Sequence, residues 1–184
     1  CAIMAIMRVL VACEFSGIVR EAFRRRGHDA WSCDLLPTEI AGYHIEGDVL
    51  KVLCGNWDLM IAHPPCTYLS NAGARHLYRN GIINRERLEL GLVAKDFFMR
   101  LLNCNIKKIC IENPFPSRVF ALPLCDQVIQ PYYFGHPFRK RTCLWLRNIP
   151  PLISTIVEMN VQSTRIAGNW FNKGGADRQK NRAR

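Results

Sequence analysis

At 184 residues the chain can bury one core, and a single domain is the expectation. Although 49% of it is apolar, no run approaches the roughly 18 to 20 uncharged apolar residues of a membrane-spanning helix, so no membrane association is expected. The formal charge is +10, and between Arg139 and Arg184 ten basic residues face only Glu158 and Asp177, so the last quarter suits either a solvated tail or a contact with a polyanion such as nucleic acid.

The nine cysteines are odd in number and irregular in spacing, with no CxxC pair, and several lie in apolar runs. That pattern predicts a reduced, cytoplasmic protein without structural zinc or another metal site. The opening "CAIMAIMRVL" lacks the basic leader of an export signal, and Met7 reads as a natural start preceded by a short extension.

Taken in chain order, "RVLVAC" is a short β-branched strand, followed by the loop "EFSG". "IVREAFRRRG" then sets Ile18, Val19, Ala22 and Phe23 along one side of a helix that stops at Gly27. "DAWSCD" is a second strand, "GYHIEGDVLKVL" a third that runs into a turn and a helix start, and "WDLMIA" a fourth. The segment Arg85 to Leu102 reads as a helix burying Leu88, Leu92, the Lys95 stem, Phe98 and Leu102. "KKICIE", "QVIQPYYF" and "RTCLWLR" complete seven strands, the last two too close together for a helix between them. This predicts an α/β fold with an open, doubly wound, mostly parallel seven-stranded sheet and an antiparallel pair at one edge. Residues 1–150 form the catalytic domain in this reading, and 151–184 a basic arm or the remainder of that domain.

Ligands of open α/β sheets bind beyond the carboxyl ends of the strands. The residues that follow the strands are Glu14, Phe15, Ser16 and Gly17 after the first, Asp34 after the second and Asp48 in the third unit. His63, Pro64, Pro65 and Cys66 follow the fourth, and Glu112 and Asn113 the fifth. Asp34 and Asp48 also suit a turn and a helix cap, and Glu112 a structural salt bridge. Cys66 differs from the cysteines inside apolar runs. It follows two prolines, whose fixed backbone presents the thiol at a strand end, where it is placed for nucleophilic attack.

In this order the motifs resemble those of the cytosine-5 DNA methyltransferases, most closely compact, phage-type members that lack a large target-recognition domain. "VACEFSGIVREAF" resembles the motif that cradles S-adenosylmethionine, implying cofactor contacts from Glu14, Phe15, Ser16 and Gly17. The resemblance further implies that Asp34 meets the cofactor ribose, Asp48 the adenine, and Pro64 the same ligand. "HPPCTYLS" is similar to the proline-cysteine loop, making Cys66 the nucleophile. "IENP" resembles the Glu-Asn motif, making Glu112 the carboxylate on the target base, and "RKRTCLWL" the Arg-x-Arg strand, with Arg141 and Arg139 at catalytic positions. Ser70, Arg139, Lys140, Lys173 and Arg178 are the implied nucleic-acid contacts.

The likeness runs from about residue 8 to 147. Phe15 stands where the family has a glycine and Pro114 where it has a valine, and the chain stops where the family's last motifs would begin. The implied activity is S-adenosylmethionine-dependent methyl transfer to carbon 5 of cytosine in DNA, single-stranded or with the base flipped from a duplex, through a covalent cysteine adduct. The alternatives are a catalytically inactive nucleic-acid-binding protein of the same fold, and a methyltransferase acting on RNA or free nucleotide. An amino-methyltransferase fits less well, since "HPPC" offers His63 and Cys66 where such enzymes hold an amine with an acid and an aromatic. A zinc deaminase would need a cysteine where Leu69 stands.

Overall fold

The computed structural model describes residues 5–74, 76–136 and 139–156. Nine strands are seen among them: β1 (Arg8–Ala12), β2 (Asp29–Asp34), β3 (His44–Glu46), β4 (Leu59–Ala62), β5 (Tyr78–Arg79), β6 (Ile82–Ile83), β7 (Lys108–Pro114), β8 (Gln127–Ile129) and β9 (Thr142–Arg147). The helices are α1 (Ile18–Arg24), α2 (Asn71–Ala74) and α3 (Arg85–Leu102). Seven strands form one sheet in the order β3-β2-β1-β4-β7-β9-β8, and β5 pairs with β6 in a separate hairpin. β9 alone runs against the other six, pairing antiparallel with β7 on one side and β8 on the other. This is the expected open, mostly parallel seven-stranded α/β sheet, with its antiparallel pair at one edge. No helix of the described residues is long and apolar enough to cross a membrane.

The central strands are apolar on both faces because both are covered. In β1, Leu10 and Ala12 join one core with Met60, Phe98, Leu101, Ile109, Ile111 and Trp145. Val9 and Val11 point the other way, into a smaller core with Ala30 and Leu59, on which Val19 and Phe23 of α1 pack. Single 3-10 turns at Val49–Lys51, Arg118–Phe120 and Pro131–Phe134 fill connections too short for helices. The helix start expected after the third strand is the first of these turns.

Two expectations are corrected here. "QVIQPYYF" is a strand only to Ile129, because Pro131 lacks an N–H for the ladder and instead opens a 3-10 turn closed by Gly135 at φ 93°. On α3, whose Asn84 cap accepts from Arg87 N–H at 3.0 Å, the buried face is Gly91, Phe98 and Leu101, and Leu92 is exposed. The cause is Gly91. A Cβ there would stand 2.2 Å from Cζ of Phe120, so the ring packs directly on the helix backbone and fixes which side turns inward. Phe98 then meets Trp145 edge-on, with ring centres 4.9 Å apart.

Candidate active site

Parallel strands deliver their carboxyl ends to one rim, and the register fixes which residues become neighbours there. Ala12 lies opposite both Cys33 and Ala62, and Ala62 opposite Ile111. The segments that follow, Cys13–Gly17, Asp34, His63–Cys66 and Glu112–Pro114, therefore emerge side by side. β9 runs the other way, so it begins at this rim, with Thr142 opposite Pro114 and Arg139–Arg141 just before it.

The first loop is built from within. Cys13 adopts φ 58°, and Gly17 φ 74°. The Glu14 carboxylate is buried and accepts from Val19 N–H at 2.6 Å, Arg20 N–H at 3.2 Å and the Ser16 hydroxyl at 3.1 Å. Glu14 and Ser16 thus satisfy the start of α1 and shape the loop. Phe15 is half-buried, and its carbonyl accepts from Glu39 N–H.

Beside this loop, one oxygen of Asp34 accepts from Leu36 N–H at 3.0 Å, and one of Asp48 caps the 3-10 turn through Leu50 N–H at 3.0 Å. The turn and cap roles open in the sequence are thus real. They leave two carboxylates at adjacent strand ends. Burial raises the Asp34 carboxyl above its ordinary value, against the hydrogen bond from Leu36 and the charge of His44. Burial, then Asp34 and Asp48, push the Cys33 thiol up to about 11. Acidic acceptors gathered this way match the hydroxyl and amine donors of an adenosyl group, so the residues present fit S-adenosylmethionine. Arg20 holds the wall of this site. Its fully buried guanidinium donates to Glu21, Ser32, Thr38 and the Ile40 carbonyl, tying down the loop that follows Asp34.

Cys66 is half-buried, in a loop fastened on three sides. The buried Pro64 offers its carbonyl to Asn113 Nδ2 at 3.0 Å. Ser70 N–H donates to the Cys66 carbonyl at 3.0 Å, and Arg87 of α3 donates to the Thr67 and Gly73 carbonyls at 3.2 and 3.1 Å. Gly73 must be glycine, because a Cβ would lie 2.1 Å from the Thr67 carbonyl oxygen. Ser70, the implied nucleic-acid contact, is buried, and its hydroxyl accepts from Gly73 N–H at 3.2 Å.

Glu112 ends the β7 core run beside this loop. Its Oε2 lies 3.4 Å from His63 Nδ1. Burial raises its carboxyl, but the hydrogen bond and charge of His63, aided by Lys140, outweigh this and hold it below the ordinary value. Arg141 is exposed, with its guanidinium 4.2 Å from the centre of the Phe115 ring; Arg139 is exposed as well. His63 Nε2 and Asn113 Oδ1 are buried without a hydrogen-bond partner. Such atoms are uncommon in native interiors; His63 stands three residues before Cys66, and Asn113 donates to the Pro64 carbonyl of the same loop. Lys173 and Arg178, and the arm from 157 onward, lie outside the described residues.

The sequence reading missed Arg20, Arg87 and Gly73 as scaffold residues, and His63 as the partner of Glu112. Only His63 carried a signal, its place beside "PPC" at a strand end.

No family model matches the chain, and no curated protein does. Among solved structures it is similar to an Entamoeba histolytica methyltransferase, EhMeth, at 18% identity and a TM-score of 0.49, over 95% of this chain and 62% of that one. It is also similar to WbdD, at 15% identity and TM-scores of 0.46 and 0.44, the latter for its complex with the kinase inhibitor LY294002. The match covers 85% of this chain and 39% of WbdD, so the chain spans less than two thirds of each of these neighbours' length. At that level the likeness leaves substrate and chemistry to the residues themselves.

Proposed function

We propose that the protein transfers a methyl group to carbon 5 of cytosine in nucleic acid, DNA first, with Cys66 as the covalent nucleophile. The observation that supports this most is the meeting of three chemistries at neighbouring strand ends: a thiol after β4, a carboxylate on β7 and a cationic triplet before β9.

Carbon 5 of cytosine is a weak nucleophile. In this reading the Cys66 thiolate adds to carbon 6, the sulfur–carbon bond forming as the 5,6 double bond opens and its electron pair moves to carbon 5. Glu112, as an acid, donates a proton to ring nitrogen 3 and neutralises the charge; a placed donor of this kind contributes about 10² to 10³ in rate. Arg141 holds the ring oxygen and favours the thiolate. S-adenosylmethionine, which Asp34 and Asp48 would hold, would supply the electrophilic methyl group to carbon 5, its sulfur–methyl bond breaking to leave S-adenosylhomocysteine. Loss of the carbon 5 proton to water then lets Cys66 depart and restores the ring.

The target atom is closed off inside a duplex, so the base must be single-stranded or flipped out, at a cost of a few kcal/mol. The basic residues Arg139, Lys140, Lys173 and Arg178 would supply phosphate contacts, giving binding that weakens steeply with salt.

The test is to incubate the protein with S-adenosylmethionine and 5-fluorocytosine DNA, single- and double-stranded, and to map any adduct by mass spectrometry. Fluorine cannot leave as a proton does, so a working enzyme traps itself at Cys66, and Cys66→Ala does not. Absence of an adduct with DNA, RNA and free nucleotide alike, with S-adenosylmethionine binding intact, would replace this reading with a binding protein.

A further inference from the structure

Glu112 must give a proton to the base, yet its surroundings favour the carboxylate. We infer that His63 is a positioning residue that holds this proton for Glu112 and hands it over when the base arrives. The inference rests on the cytosine-5 reading above.

The geometry starts from register. His63 N–H donates to the Ala12 carbonyl at 2.9 Å, so the chain keeps the course of β4 one residue past its end. Because Ala62 lies opposite Ile111, that step sets His63 beside Glu112 on the same face of the sheet. Their side chains are 29% and 27% exposed, partly shielded from water. The separation of 3.4 Å is at the long end for a hydrogen bond, as acid–base contacts often are before substrate tightens them.

The other end of the imidazole supplies the second observation. Nε2 is buried with no partner, so among the described residues the imidazole's one side-chain contact to a titratable group is the one from Nδ1 to Glu112. The remaining groups around Glu112 do not compete for it. Lys140 and Arg141, before β9, are cations, and the Cys110 and Cys143 thiols are both pushed up to about 12, by burial first, and so stay neutral near pH 7.

The exchange balances without any further reactant. His63 Nδ1 gives its proton to the Glu112 carboxylate and becomes neutral. Glu112, now a carboxylic acid, protonates ring nitrogen 3 as Cys66 adds to carbon 6. When Cys66 leaves, nitrogen 3 returns the proton to the pair. The active form of the free enzyme therefore carries one dissociable proton on His63 and Glu112 together, and activity falls at the pH where that proton is lost.

Two measurements test this, on His63→Gln, which keeps a polar partner for Glu112 without a charge, and His63→Phe, which removes both. The first follows the Glu112 side-chain carboxyl by carbon NMR against pH in ligand-free protein. Its midpoint should rise in His63→Phe and move less in His63→Gln; an unmoved midpoint in both overturns the pair. The second is the pH dependence of the rate of Cys66 adduct formation. The variants should lose at least tenfold at pH 7.5, with the alkaline fall moved to lower pH by a unit or more, while S-adenosylmethionine affinity is kept. Profiles that superimpose on the wild type overturn the inference while leaving the cytosine-5 reading intact. If the wild type forms no adduct, that reading fails, and the carboxyl titration alone decides whether the pair exists.

Discussion

Replacing Arg20 by methionine tests whether the loop beside Asp34 is held by one buried guanidinium. The side chain is fully buried, with donors 2.9 Å from Glu21 Oε1, 3.1 Å from Ser32 Oγ, 3.3 Å from Thr38 Oγ1 and 2.6 Å from the Ile40 carbonyl. Two effects oppose each other. Removing a buried charge recovers its desolvation cost, which can make an apolar replacement neutral. Here, however, the guanidinium lies among hydroxyls and carbonyls, so methionine would meet polar atoms in place of a core. Hydrogen bonds to charged groups contribute about 1.5 to 3 kcal/mol each. Some of this is cushioned: Ser32 Oγ also lies 2.9 Å from His44 Nδ1, Ile40 O also accepts from the Thr38 hydroxyl, and Glu21 stays partly solvated. A net loss of about 2 to 4 kcal/mol is expected, below the 5 to 15 kcal/mol that typically holds a domain together. In urea, with a slope of about 1 to 3 kcal/mol/M, the midpoint should fall by roughly 1 to 3 M at unchanged slope. Amide exchange should quicken over residues 35–43, and S-adenosylmethionine affinity should drop. A midpoint within about 0.3 M of wild type would refute the reasoning, and would mean that recovered desolvation cancels the loop contacts.

Three further outcomes are expected. Gly73→Ala drives a Cβ toward the Thr67 carbonyl; it should cost about 1 to 3 kcal/mol and slow adduct formation at Cys66 by tenfold or more, and an unchanged rate would show that the loop absorbs the shift. Asp34→Asn should stabilise the protein while weakening S-adenosylmethionine by roughly 10- to 100-fold, as loss of a charged acceptor implies. The sign follows from the raised carboxyl: the native state binds its proton more tightly than the unfolded chain, so wild-type stability falls as pH rises from about 4 through the native value. The advantage of Asp34→Asn should be absent below that window and constant above it, as read from urea midpoints. A brief iodoacetamide pulse at pH 8 should mark the exposed Cys54 and spare Cys33, Cys110 and Cys143, pushed by burial first to about 11, 12 and 12, until urea is added; equal labelling on peptide mapping would contradict the burial.

The strands were readable wherever burial on both faces demanded an unbroken apolar run, as in "RVLVA" and "LMIA", and α3 wherever charges alternate with apolar residues between Asn84 and Asn103. The place of Glu112 near a strand end was readable because a polar residue directly after such a run is unusual, and that of Cys66 from the two prolines that precede it. What could not be read depends on partners distant in sequence. The inward face of α3 follows from Phe120 lying on Gly91, and the role of Arg20 from acceptors at Thr38 and Ile40 that are backbone or small hydroxyls. Nothing local says that the Glu14 carboxylate closes the start of α1, through Val19 and Arg20 N–H.

The sense of β9 decides what kind of site the rim can be. Six residues of strand span about 20 Å. Were β9 parallel to its neighbours, Arg139–Arg141 would enter at the far edge of the sheet, and Glu112 would face no cation from that side. Because β9 is antiparallel, its first residue pairs with Pro114, the last of β7, and the cationic triplet arrives where the acid and the thiol stand. The same register sets His63 against Glu112 from β4. Glu112 is thus neighboured by a titratable imidazole on one side and fixed positive charge on the other. Burial raises its carboxyl, and His63 lowers it more than Lys140 does, so substitution of His63 should change the pH profile while loss of Lys140 should chiefly change binding.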